Sequence, residues 1–114
     1  MAKARNEPTG EVVQSSGNVF ADLGFADAGE RRTKVRLAAA INELLRKRRL
    51  SQAEAARQLG INQPKVSALS NFKLEGFSVE RLMHFLTALD QDVQIVIRSK
   101  PRSRRAAQIV VIAA

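Results

Sequence analysis

Ser51-Gln-Ala-Glu-Ala-Ala-Arg-Gln-Leu-Gly-Ile-Asn-Gln-Pro-Lys-Val-Ser-Ala-Leu69 is the stretch that decides the fold. Its apolar residues Ala55, Leu59, Ile61, Val66 and Leu69 fall where two short helices on either side of Gly60 face inward. Ala56 is small at the position where those helices cross. Gly60 stands at the sharp turn, where positive φ carries little steric cost. Ser51, with Glu54 three residues on, has the spacing of a capping box and fixes the start of the first helix. Asn62 suits the cap of the second helix, and Pro64 is tolerated in a first turn, where its missing N–H bonds nothing. The spacing predicts a helix-turn-helix, a unit whose second helix lies in the major groove of DNA.

Working outward, Asp27 and Glu30 are spaced as a second capping box that opens a long helix, in which Leu37, Ile41, Leu44 and Leu45 recur at helical spacing. Arg46, Lys47, Arg48 and Arg49 crowd its last turn, where cations suit the helix dipole. Ahead of it, Asn18 to Leu23 is read as a short helical turn with Val19, Phe20 and Leu23 on one side and Phe25 just beyond. Those residues either pack over the long helix or form a patch for a partner protein. Residues 1–14 are polar and aperiodic, a flexible tail. After the motif, residues 71–77 form a loop containing Gly76, and Ser78 caps a fourth main helix. Its expected inward face is Val79, Leu82, Met83, Leu86 and Leu89, and Asp90 and Asp92 mark its end.

Beyond that helix, Val93, Ile95 and Ile97 alternate with Gln94, Val96 and Arg98, the pattern of a β-strand. Residues 99–105 are a basic linker. Residues 108–112 have strand composition and are either a second strand or a loosely attached apolar end. The expected architecture is mainly α, about five helices with a C-terminal strand. Its divisions are a tail (1–14), a helix-turn-helix domain (15–90, motif 51–71), a strand (91–99) and a basic and apolar tail (100–114).

The 114 residues contain no cysteine, which excludes disulfides, thiolate catalysis and Cys-based zinc sites. His84 is the only histidine and has no carboxylate cluster at ligand spacing, so no metal is expected. The serines lack a nucleophile motif, Asp90 and Asp92 read as solvated, and the glycines form no phosphate loop. No catalytic residue, enzyme activity or cofactor is expected. The N-terminus lacks the apolar core of a signal peptide, and the longest apolar run, Ile109 to Ala114, is too short to span a membrane. A soluble, cytoplasmic protein is expected.

The net charge of +8 is unevenly spread. Residues 31–73 carry eleven basic and two acidic groups, whereas residues 1–30 and 74–92 are each net −3, and 93–114 carry five basic groups and no acid. A basic body centred on the motif is the electrostatic footprint of a DNA binder. Charge alone fits solvated helix faces equally well; its coincidence with the motif favours DNA.

Gln52 to Leu69, with Ala56, Gly60, Ile61, Val66 and Leu69 in register, resembles the Cro/CI-type (XRE) helix-turn-helix family. The strings Ser15 to Gly24, Arg31 to Lys34, Asn62 to Ser67 and Gly76 to Leu82 are similar to small HigA-type antitoxins of bacterial type II toxin–antitoxin systems. The general resemblance covers residues 27–90 and the narrower one 15–99; the last fifteen residues match nothing of the family. The resemblance implies a lambda-repressor-like bundle that binds double-stranded DNA at a near-palindromic operator. Gln63, Pro64, Lys65, Ser67 and Ala68 would be base-contacting, and Gln52, Ser70, Asn71 and Lys73 phosphate-contacting. Gln bonds adenine bidentately, Lys suits guanine or phosphate, and Ser or Ala touches a thymine methyl. Pro64 donates no bond, so readout there is by shape or apolar contact. The narrower resemblance implies a transcriptional regulator that represses its own operon and neutralises a RelE-fold, HigB-like toxin. Alternatives are a stand-alone prophage-type repressor, or an interaction module with the motif as scaffold; outward Gln63 and Lys65 argue against the latter. A homodimer is expected, because one recognition helix reads too few bases, and Val93, Ile95 and Ile97 would pair across its dyad. A local hairpin with residues 108–112 is the competing use of that strand.

Overall fold

The computed structural model describes residues 23–113, with side chains from residue 28 onward. The chain divides into two compact units, residues 1–32 and 33–114. The described part of the first is the opening of α1, which runs Leu23–Lys47. The second holds the rest of α1 with α2 (Gln52–Leu59), α3 (Gln63–Ser70) and α4 (Val79–Ala88).

These four are the helices among the described residues. The expected short turn at Asn18 to Leu23 lies outside them, except that Leu23 already belongs to α1. Asp27 does not cap a helix: α1 runs through both Asp27 and Glu30. A side-chain cap acts only where the backbone leaves helical geometry, and Leu23 to Ala28 continue it instead.

The core of the second unit is one cluster. Ile41 of α1, Leu69 of α3, Leu82 of α4 and Leu89 behind it are fully buried, with Ala55, Ala56 and Leu59 from α2. Ala38 and Phe85 join them, as do Leu74 and Phe77 from the loop after α3. Phe77 meets Phe85 edge to face, with centroids 5.9 Å apart and planes at 76°. That loop is thus part of the core, which spacing alone missed because Leu74 and Phe77 lie outside any helical period. Leu44, Val79 and Met83 are only half-buried.

Each α-helix ends in the same way. Arg49, Gly60, Phe72 and Asp90 have φ of 55°, 71°, 57° and 64°. The residue after each donates its N–H five residues back: Leu50 to Leu45, Ile61 to Ala56, Lys73 to Ala68, and Gln91 to Leu86, over 2.9–3.1 Å. This is the left-handed termination that satisfies a helix's last carbonyls. Only one of the four residues is glycine, so sequence reading identified only that one.

Residues 92–98 are not a strand, and none occurs among the described residues. A strand exists by hydrogen-bonded pairing, and the returning segment 107–112 does not pair with it. Val93 and Val111 rest against the core, whereas Ile95 and Ile97 are 75% and 93% exposed. Between them the chain reverses at Pro101 to Arg104, where the Arg104 N–H donates to the Pro101 carbonyl over 3.2 Å.

Candidate nucleic-acid interface

The motif is built by local chemistry at each junction. The Ser51 hydroxyl accepts the Glu54 N–H at 3.1 Å, and the Ser51 N–H donates to the Glu54 carboxylate at 2.8 Å. That backbone bond, with the hydroxyl next and Arg57 adding a smaller attraction, holds the Glu54 carboxyl below its ordinary value. Gln52 stands exposed at the first position of α2. Gly60 then turns the chain. Asn62 accepts the Lys65 N–H on its side-chain oxygen at 2.9 Å, with Pro64 in the first turn of α3.

Val66 and Leu69 anchor α3 to the core. Gln63 and Pro64, two of the five residues expected to face base edges, are exposed in the first turn of α3. Lys65, Ser67 and Ala68 are half-buried. Ala68 packs partly against the core, so its methyl is shared between core and surface. The Lys65 ammonium lies 5.7 Å from the centre of the Phe77 ring, a cation–π contact that restrains this side chain.

The expected phosphate anchors do not form one cluster. Gln52 and Ser70 come together on a cleft of about 210 Å³ that Asn42 and Arg46 also line. Arg46, which pairs with Glu43 at 2.6 Å, therefore joins this edge from α1. The sequence places Arg46 only at the helix end, in a basic run; its position on this cleft follows from how α1 packs on the motif. Asn71 and Lys73 lie past the end of α3. The Asn71 side-chain amide donates to the Ser67 carbonyl at 3.0 Å, so that donor is engaged in closing the helix. Lys73 is exposed and makes no ion pair among the described residues. Beside it Phe72 is 40% exposed in its left-handed conformation, an aromatic on this edge that sequence reading did not single out.

His84 is exposed and lies 3.7 Å from Glu80 on α4. Among the described residues no three metal-ligating side chains gather, and no helix is long and apolar enough to cross a membrane.

Comparison with known proteins agrees with this geometry. A helix-turn-helix domain family matches residues 19–98. A solved structure named as an XRE family transcriptional regulator is 72% identical, with a TM-score of 0.75, over 77% of this chain and 99% of that one. Among curated proteins no relative matches. The chain belongs to the helix-turn-helix domain family and, within it, to the XRE type, a regulatory rather than an enzymatic family.

Proposed function

We propose that the protein is a sequence-specific DNA-binding transcriptional regulator that reads a near-palindromic operator with α3. The observation that carries this is a recognition helix capped by Asn62 and anchored by Val66 and Leu69, with Gln63 and Pro64 exposed at its first turn. Gln63, Pro64, Lys65, Ser67 and Ala68 face base edges in this reading, while Gln52, Ser70, Asn71 and Lys73 hold phosphates. The protein acts as a homodimer in the cytoplasm, with Val93, Ile95 and Ile97 at the dyad, because two recognition helices one DNA turn apart supply the specificity that one lacks. Exposed Ile95 and Ile97 support this use of the segment; Val93 contributes less, being turned partly to the core.

The resemblance to HigA-type antitoxins extends the reading to a protein that represses its own operon and neutralises a RelE-fold, HigB-like toxin. Exposed Ile109 and Ile112, beyond the segment assigned to the dyad, support a partner-binding surface apart from the recognition helix. Co-expression with the product of the adjacent gene tests it: deleting residues 1–26 or 91–114 should weaken toxin capture more than Lys65→Ala does. Failure of the wild type to capture the toxin removes the antitoxin assignment and leaves a stand-alone repressor, whereas equal capture by full-length protein and a 27–90 fragment removes only the terminal location.

The DNA reading is tested by titration on operator and random duplex. Gln63→Ala should cost ~1–3 kcal/mol on the operator and little on random DNA. Lys73→Ala should weaken both together. Unchanged operator affinity in Gln63→Ala would show that α3 does not lead with this face.

A further inference from the structure

We infer that the basic turn from Arg98 to Arg105 is a second contact for duplex DNA, made to phosphates rather than bases. The inference rests on the DNA-binding reading above and deepens it. Arg98, Lys100, Arg102, Arg104 and Arg105 place five cations within eight residues, and no acidic residue occurs from 93 to 114. None of the five forms an ion pair among the described residues, and four are exposed, with Arg104 half-buried. Four of the five also lie beyond residues 19–98, so the cluster is an addition to the shared helix-turn-helix domain.

The segment is held in shape, unlike a solvated charge run on a loose end. The Arg104 N–H closes the turn on the Pro101 carbonyl, and the Lys100 ammonium donates to the Arg104 carbonyl at 2.9 Å. The Arg104 guanidinium donates to the Ala106 carbonyl at 3.2 Å. Val93 on one side and Val111 on the other rest against the core, so the turn is a tethered loop with both ends fixed. Like charges gathered this closely repel one another, a cost that a polyanion reverses. Arg side chains grip phosphate oxygens in a fork, and each phosphate neutralised releases condensed counterions. Joined to a groove-reading helix on the same domain, such a loop binds at high effective concentration and adds affinity without adding sequence preference. Duplex DNA is favoured over an anionic membrane because the same chain already carries the recognition helix and a basic body around it.

The test is a salt series on operator and random duplex with the full-length protein and two variants. In one, Arg98, Lys100, Arg102, Arg104 and Arg105 are all changed to Gln; in the other, the four arginines are changed to Lys. The glutamine variant should show a salt dependence shallower by ~3–4 in log–log slope for each bound protomer, since each phosphate contact contributes ~0.9. Its affinity should fall by a similar factor on both duplexes, while the lysine variant keeps the wild-type slope. Circular dichroism should be unchanged in both, since the turn lies outside every helix. A slope altered by less than ~1 in the glutamine variant, with operator binding otherwise intact, overturns this inference and leaves the recognition helix standing. So does sedimentation of wild type with phosphatidylserine vesicles when the DNA slope does not change. Wild-type protein that binds neither duplex overturns both readings.

Discussion

The side-chain amide of Asn42 donates to the main-chain carbonyl of Leu69 over 3.1 Å, joining the C-terminal part of α1 to the last turn of α3. The same carbonyl accepts the Phe72 N–H at 3.2 Å. A helix-terminal acceptor that α3 cannot satisfy internally is thus also bonded by a different helix, which fixes how the recognition helix sits on its support. Asn42→Leu keeps the bulk and removes the donor. It should lower stability by ~1 kcal/mol in urea unfolding, and operator affinity should fall although the residue is not assigned to the DNA face. Unaltered operator affinity at reduced stability would show that α3 is positioned by Val66 and Leu69 alone.

The left-handed residues predict substitutions of opposite sign. Gly60 has φ of 71° and open space where a Cβ would stand, so Gly60→Ala meets only backbone strain. It should cost ~1 kcal/mol. Arg49, at φ 55°, carries that strain already, and Arg49→Gly should stabilise by ~0.5–1 kcal/mol. Urea midpoints of the two variants moving in the same direction would refute this account of the helix ends.

The capping box makes one contribution to stability depend on pH. Folding lowers the Glu54 pKa from its ordinary 4.5, so the folded state favours the carboxylate. That contribution is complete above the ordinary value and is lost as pH falls through the lowered folded one. Glu54→Gln retains a capping partner without the titration. Wild type should exceed it in thermal midpoint at neutral pH, with the gap closing as the solution is acidified below about pH 4. A gap that widens on acidification would contradict the sign.

Ile95→Lys addresses the homodimer. Ile95 is 75% exposed within one chain, so the substitution should leave helix content intact. The expected result is a shift from dimer to monomer in sedimentation, accompanied by loss of operator binding. Wild type running as a monomer at tens of micromolar would remove the dyad from the proposal.

The helix-turn-helix was legible because its information is local: Ser51 with Glu54, Gly60, and Asn62 with Pro64 each act within a few residues. Gln63 and Pro64 could be placed on the outside for the same reason, since Val66 and Leu69 set the face. Arg46 beside Gln52 and Ser70 was not legible, because that meeting depends on how α1 crosses the motif. Phe77 was missed because a loop residue has no period to betray burial, although its ring supports both Phe85 and the Lys65 ammonium. The strand at 92–98 failed for a different reason. Alternation of Val93, Ile95 and Ile97 states a preference, and a preference becomes a strand only when another segment bonds to it.

The four left-handed helix ends also bear on time. Each is completed by a bond reaching back only five residues, so every helix can stop and redirect the chain before distant parts have met. Folds rich in such short-range contacts form in roughly microseconds to milliseconds. What remains is to close long loops. The Arg48 guanidinium donates to the Leu89 carbonyl at 2.6 Å across 41 residues. Loop-closure entropy grows only logarithmically with length, so even this last closure adds little to that of a shorter loop. Arg48→Ala should speed unfolding more than it slows the main refolding phase, the signature of a contact that forms late.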